Sequence, residues 1–393
     1  ISACLVGSEM CIRDSINSGK CKCRILFTSR HWNQGPRVHP SIYMQEYRVE
    51  GLVVDEGIEL LRNQGVKGTE EELRAAVNHC AGHAYALTLL ASLLSNQQLS
   101  FGVLFKDTSY TQLWMGNVAR NLLDYIYKQQ LSEVDHELLL AFSVYREPIP
   151  LEAVQIIVGF TTEVSKAQIQ LALETLITQH LLQHAGDGCY QLHPIVASYA
   201  RRHFIENDKQ ANQQALREAH TRAAHYYRQQ AARSSLSREQ RQHRGDLHPL
   251  IEAVWQQCHA EHWQEAYDLL EREDIFPDLK RWGENTILLE LYQMFLPLEK
   301  WHPKALQAIR ILTNLGRIYR TLGQRGRARG YLEQALGICK KEGDRWGEGT
   351  VLSFLGRVYA DLGQKKTAVE YLEQALQILS LIHISEPTRQ AEI

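Results

Sequence analysis

The chain has 393 residues, 44% of them hydrophobic, and its 43 basic and 45 acidic side chains leave a formal net charge of −2. That length suits two to three domains, each able to bury a core, and the near-neutral charge gives no general affinity for nucleic acid or an anionic membrane. No run approaches the roughly 18 apolar residues of a membrane-spanning helix, so a cytoplasmic chain with no membrane partner is expected.

The two ends stand apart from the rest. The last fifteen residues, 379–393, back-translate into DNA that resembles a transposase-type sequencing adapter. The opposite strand of that DNA, one frame over, encodes Ile1 to Asp14 and then Ser15. Glu9, Arg13 and Asp14 also interrupt the apolar core that a signal peptide would need there. Residues 1–15 and 379–393 are therefore expected to be adapter-derived and to have no packed role, leaving 16–378 as the folded protein. In that span Cys21, Cys23, Cys80, Cys189, Cys258 and Cys339 form no C-x-x-C pair, and reduced thiols are expected.

Along the chain, residues 24–30 read as a short buried strand ending in polar residues. Residues 70–95 read as two helices meeting near Gly82. His79 and His83 stand at i and i+4, a spacing that suits a metal, but no Glu follows His79 and no third ligand is apparent, so no metal is expected. Helical runs at 122–131 and 137–144 lead to Glu147-Pro148-Ile149-Pro150, a breaker that also starts a helix at Leu151. A further helix at 167–178 precedes short apolar strands at 181–182 and 190–192, joined by Gly186-Asp187-Gly188. Three helices and a hairpin predict a winged helix over 119–204.

Residues 205–305 are helical and degenerate, reading as a linker or as diverged repeats. Residues 260–270 look like the second half of a helix pair, and Arg281-Trp282-Gly283-Glu284 echoes Arg345-Trp346-Gly347-Glu348. A clear repeat follows over 306–378, with a period of 40 residues: Leu315-Gly316-Arg317-Ile318-Tyr319 recurs as Leu355-Gly356-Arg357-Val358-Tyr359, and Leu322-Gly323-Gln324 as Leu362-Gly363-Gln364. Apolar positions fall at helical spacing on two helices per unit, broken at the Leu-Gly-Gln turn. The pattern resembles tetratricopeptide repeats, with Gly316 and Ala328 small where helices must approach and Tyr319 and Leu332 filling the groove. Stacked units need neighbours or a polar cap, so Val369, Leu372 and Leu376 are expected to be uncovered and to promote self-association.

Four further elements carry a second resemblance. Ile25-Leu26-Phe27-Thr28-Ser29-Arg30, Tyr47-Arg48-Val49-Glu50-Gly51-Leu52 followed by Glu59-Leu60-Leu61, Cys80 to Leu87, and Tyr190-Gln191-Leu192-His193-Pro194 occur in the order and spacing of the NB-ARC signalling ATPases. The resemblance implies a fold that is mainly α: the C-terminal part of an α/β nucleotide-binding domain with its helical subdomain (16–118), a winged helix, then an α-solenoid. It implies Thr28 and Arg30 at the nucleotide phosphates, Gly82 at a close backbone approach to the base or a helix, and His193 facing the diphosphate in an ADP-bound state. Ala84 stands where the family has proline, and Pro194 where it has aspartate.

No G-x-x-x-x-G-K-[ST] occurs in the chain. The expectation is a fragment that is not an enzyme as it stands and holds no cofactor, from a parent that uses ADP or ATP with magnesium. Its activity is then protein binding by the repeats. Asn314, Arg317 and Arg357 lie beside the packing positions on the first helix of each unit and are expected to face an acidic peptide or protein surface. The other reading is a transcriptional regulator. The presumed recognition helix at 167–178 has one Lys beside it and no Arg, too little charge for the phosphate contacts that dominate DNA affinity.

Overall fold

The computed structural model describes residues 49–96, 100–158, 165–206, 210–234 and 236–390, which are mainly helical. The expected strand at 24–30, with Thr28 and Arg30, lies outside the described residues. The chain forms two compact units, 1–87 and 88–393.

In the first unit, α1 (Val54–Asn63) buries Gly57, Ile58 and Leu61 against α2 (Glu70–His79). Gly57 is small because a Cβ there would come within 2.7 Å of Val77. A capping box of Thr69 and Glu72 starts α2. Gly82, at φ +66°, turns the chain into α3 (Ala84–Asn96), as the two-helix reading of 70–95 expected.

The second unit continues through α4 (Phe101–Lys106), a 3₁₀ turn (Thr108–Trp114), α5 (Val118–Gln129) and α6 (Glu133–Ser143). The expected hairpin forms from β2 (Leu182–His184) and β3 (Cys189–Leu192), with Leu182 opposite Leu192. Its turn runs through three positive-φ residues, Gly186, Asp187 and Gly188. A third strand, β1 (Ile149–Pro150), pairs with β3 and makes the order β1-β3-β2. The sequence predicts a breaker that starts the helix at Leu151, as observed, but no strand, because two residues are too few to show an alternating pattern. Pro150 is tolerated there since β1 is an edge strand. Helices α7 (Leu151–Val158) and α8 (Lys166–Thr178) pack beside β1 and β2, and α9 (Pro194–Glu206) packs on α5 and α6.

From α10 (Gln210–Ser234) onward each helix packs on the next: α11 (Arg244–His259), α12 (Trp263–Arg272), α13 (Ile275–Arg281), α14 (Asn285–Met294). The echoing Arg-Trp-Gly-Glu segments are not equivalent. The first closes α13 at Gly283, φ +78°, while the second is the opening turn of α17 (Arg345–Asp361).

The loop between α6 and β1 is tied to this array by a polar network. Arg146 pairs with Glu252 and Glu290, and its guanidinium lies 4.5 Å from the Trp255 ring centre. Glu147 accepts hydrogen bonds from Tyr227 and His248, both at 2.7 Å. Gln256, fully buried, donates to the Val144 carbonyl at 2.9 Å and is 2.7 Å from His220 Nδ1. Burial pulls the His220 pKa down to about 4; the hydrogen bond to Gln256 opposes this, and the charges of His259 and Arg201 add to it. His248 moves the other way, raised chiefly by its hydrogen bond to Glu147 against burial.

The repeats are α15 (Ala305–Thr321) with α16 (Arg325–Glu342), and α17 with α18 (Lys365–Gln390). The breaks fall at Gly323 and Gly363, φ +75° and +79°. A Cβ on Gly316 would lie 2.6 Å from Leu332 Cγ, and one on Gly356 2.7 Å from Leu372 Cγ, so the same close approach recurs in both units. Tyr319 stacks on Tyr331 at 5.4 Å and Tyr359 on Tyr371 at 5.2 Å. Leu332 is fully buried, whereas Leu372, forty residues on, is 41% exposed beside exposed Val369 and Leu376. Helix α18 does not stop at the boundary expected near Ile378. It runs on to Gln390, and Leu379 packs over Gly349, where a Cβ would meet its Cγ at 2.8 Å. The missing side chain of Gly349 leaves room for that contact.

Gly316→Ala should cost about 1–3 kcal/mol by overpacking against Leu332. Gly337→Ala, mid-helix with nothing within 4 Å of its Cβ, should instead gain up to about 1 kcal/mol. Chemical denaturation of the two variants checks both signs. At the network, a histidine whose folded pKa lies below its unfolded value of about 6.5 costs nothing above that value and loses stability as pH falls toward the folded value. Between pH 7 and 4 the protein should therefore lose on the order of 3 kcal/mol that His220→Gln retains. Denaturation series at several pH values give the comparison, and a His220→Gln curve parallel to the parent's would contradict it.

Candidate functional site

The 40-residue period sets what lines the inner wall of the repeats. Leu306, Arg310, Asn314 and Arg317 on α15 correspond to Trp346, Thr350, Phe354 and Arg357 on α17. The turn between α12 and α13 joins these two helices to enclose a groove of about 250 Å³. The first helices of the two units thus form one wall, as the repeat pattern implies.

The groove is graded in polarity. At the N-terminal ends of the two helices it is rimmed by Leu306 and Trp346, which are 52% and 60% exposed. Asp344 stands at the same end, where it caps α17 by accepting from the Gly347 amide at 2.8 Å. Near the C-terminal ends Arg317 is held between two aromatic rings, 4.7 Å from the Phe276 centre and 5.1 Å from that of Phe354. Arg357 lies on Phe354 at 5.5 Å.

Charge pairing separates these groups from their neighbours. Arg310 is matched by Glu271 at 2.5 Å, and Arg320 by Asp361 at 2.6 Å. Among the described residues no carboxylate lies within ion-pair distance of Lys280, Arg317 or Arg357. Arg317 donates instead to Asn314 Oδ1 at 2.9 Å, and Asn314 Nδ2 donates to the Tyr292 hydroxyl at 3.0 Å. Burial lowers the Arg317 pKa, and the charge of Arg357 lowers it further against the effect of Tyr292. Burial also lowers the Lys280 ammonium pKa, and Arg317 and Arg320 add to that. Three cations held close without a counter-charge favour an anion. Midway along the groove, the Thr313 hydroxyl oxygen is buried with no hydrogen-bond partner.

A larger depression of about 780 Å³ lies along α10 and the α11–α12 turn. Its arginines are already met by carboxylates, Arg217 by Glu261 at 2.8 Å and Arg222 by Glu218 at 3.7 Å. It offers no comparable free charge.

Of the residues singled out from sequence, Asn314, Arg317 and Arg357 are brought together. Phe276, Phe354, Lys280 and Thr313 were not foreseen. Phe354 was within reach of the repeat register, but Phe276 lies outside the recognisable repeats. Gly82 closely approaches the extended Gly51–Leu52 backbone, which is neither a base nor a helix: Leu52 N donates to Gly82 O at 2.8 Å, and a Cβ on Gly82 would sit 2.3 Å from the Leu52 oxygen. Two of the family-like segments thus meet. His193 lies at the start of α9, where its Nδ1 accepts from the Ile195 amide at 3.3 Å. His83 likewise accepts from Ala86 at 3.2 Å, and among the described residues no cluster of His, Cys, Asp or Glu is placed to hold a metal.

Residues 303–380 match the tetratricopeptide-repeat family model. No curated protein matches the chain. Among solved structures, it is similar to the crystal structure of a Signal Transduction ATPase with Numerous Domains (STAND) protein with a tetratricopeptide repeat sensor from Pyrococcus horikoshii. The identity is 15%, over 87% of this chain and 62% of that one, with a TM-score of 0.28. The chain therefore spans less than two thirds of the length of that structure.

If Arg317 is held for a ligand, it should add little to stability. The cation–π gain of roughly 1 kcal/mol is offset by burying an unneutralised charge beside Arg357. Arg317→Met should leave the melting temperature unchanged or raise it, whereas a drop of more than about 2 kcal/mol in thermal or urea unfolding would mark the arginine as structural.

Proposed function

We propose that this chain is part of a nucleotide-regulated signalling switch of the NB-ARC kind, in which the tetratricopeptide repeats recognise an acidic protein partner. The observation that carries the recognition half is the pair Arg317 and Arg357 on the first helices of the tetratricopeptide repeats, with Lys280 beside them on α13, none of them within ion-pair distance of a carboxylate among the described residues. Desolvated guanidinium groups left unpaired cost stability, and a partner's carboxylate would restore what they lack. The switch half rests on the ordered resemblance of residues 24–204, with Thr28, Arg30, Gly82 and His193 as its nucleotide-facing residues.

ADP or ATP with magnesium belongs in this reading to the parent protein. Phosphoryl transfer depends on positioning and charge at the phosphates, and the chain contains no phosphate-binding loop motif. It acts here as a binding module. The exposed stripe Val369, Leu372 and Leu376 is the natural seat of a further helix pair or of a second copy.

A poly-glutamate probe should bind in low salt and weaken steeply as salt rises, because the contacts are ionic. Arg317→Glu combined with Arg357→Glu should reduce that affinity at least tenfold without loss of helicity. Unchanged binding by the double variant would remove the recognition half. ATP hydrolysis should be undetectable, and sub-millimolar ATP affinity abolished by Arg30→Ala would overturn the assignment of the chain as a binding module alone.

A further inference from the structure

We infer that the groove reads two features of its partner at once: a bulky apolar side chain at the Leu306–Trp346 rim and, about five residues away in an extended segment, one or two carboxylates at Arg317 and Arg357. This deepens the proposed recognition of an acidic partner and rests on it.

The spacing follows from helix geometry. Leu306 and Arg317 are eleven residues apart on α15, as are Trp346 and Arg357 on α17, which at 1.5 Å per residue separates rim from cations by about 16 Å. An extended chain advances about 3.3 Å per residue, so about five residues cover that distance. The two helices are in register, so Leu306 and Trp346 rim one end of the groove, while at the other Arg317 lines it and Arg357 lies just beyond, on the Phe354 ring.

Exposure supports the apolar end. Leu306 and Trp346 line the groove yet remain half exposed or more, although neither is required for the helix packing that fixes the repeat. Asp344 beside Trp346 sets the polarity, because a ligand carboxylate at that end would meet like charge. The acidic and apolar features of the partner must therefore be separated and cannot be adjacent.

The middle of the groove favours an extended segment over a helix. Thr313 is 7% exposed, lines the groove and has a hydroxyl oxygen with no partner. An extended backbone carries free N–H and C=O groups that could satisfy it. A helix has spent its own internally and would offer none to that hydroxyl.

The test uses the full chain and fluorescence anisotropy with five labelled peptides. Two are Trp-Gly-Ser-Gly-Ser-Asp-Glu and its reverse, Glu-Asp-Ser-Gly-Ser-Gly-Trp, in which the nearer acid stands five residues from Trp. Two controls replace either Trp by Gly or both acids by their amides, and a third moves the acids next to Trp. Trp346→Ala and Arg357→Gln alter exposed side chains, so both variants should fold as the parent does. One of the two spaced peptides should bind at least tenfold more tightly than all three controls, and each variant should remove most of that advantage. If the peptide lacking Trp binds as well as the spaced one, or the adjacent arrangement binds better, the two-point reading is overturned while acidic recognition stands. If no acidic peptide binds, the proposed recognition function falls with it.

Discussion

The close approach of paired helices at Gly316 and Gly356 is the contact on which the repeat array depends. With a Leu side chain 2.6–2.7 Å from where a Cβ would be, neither position tolerates a larger residue at the present helix spacing. That spacing fixes the tilt of the first helix against the second, and so fixes which side chains the first helix turns inward. Because the contact recurs after 40 residues, the inward stripe recurs too. The groove is therefore a product of the packing rule: Leu306 and Trp346 share one end, Arg317 and Arg357 the other, since their helices are held in the same register.

Two arginines in this chain show how environment divides a charge that is matched inside the molecule from one that is not. Arg146 stacks on Trp255 as Arg317 stacks on Phe276 and Phe354, so the aromatic contact alone does not distinguish them. Arg146 also carries two carboxylates, one of them on buried Glu252. Its charge is spent inside the molecule, holding the loop before β1 to α11 and α14. Arg317 has a neutral amide in place of a carboxylate, and its nearest charged neighbours repel it. A group in that state is costly to the folded chain and available to a partner.

What could be read from the sequence followed from how local each signal is. The repeats were legible because a 40-residue period restates one packing solution, and the Gly186-Asp187-Gly188 turn because three successive positive-φ residues leave a compositional mark. The network at Arg146 and Glu147 was not, since its members lie about a hundred residues apart and none belongs to a motif. Strand β1 is too short to show a period. Helices α10 to α14 stack without the Leu-Gly-x-x-Tyr signature, so their order was hidden and the Arg-Trp-Gly-Glu echo pointed to the wrong register. At the groove Arg317 and Arg357 were legible as polar residues beside packing positions, whereas Lys280, outside the recognisable repeats, was not. The rings that hold Arg317 were not, because Phe276 comes from the diverged part of the array.

Helix α14 links the groove to the Arg146 network. Glu290 on this helix pairs with Arg146, and two residues on, fully buried Tyr292 accepts the hydrogen bond from Asn314, which in turn accepts from Arg317. Gln293 donates to Tyr319 at 2.7 Å, so the same helix also grips the packing tyrosine of the first repeat. A carboxylate drawn to Arg317 would compete with Asn314 for the guanidinium, and Asn314 is one bond from a tyrosine that cannot move without moving α14. Contiguity of this kind is not coupling. A ligand shifts an equilibrium only by the difference in its affinity for two arrangements. Helix α14 is bonded both to Asn314, on the groove wall, and to the ion pair that anchors the loop preceding β1.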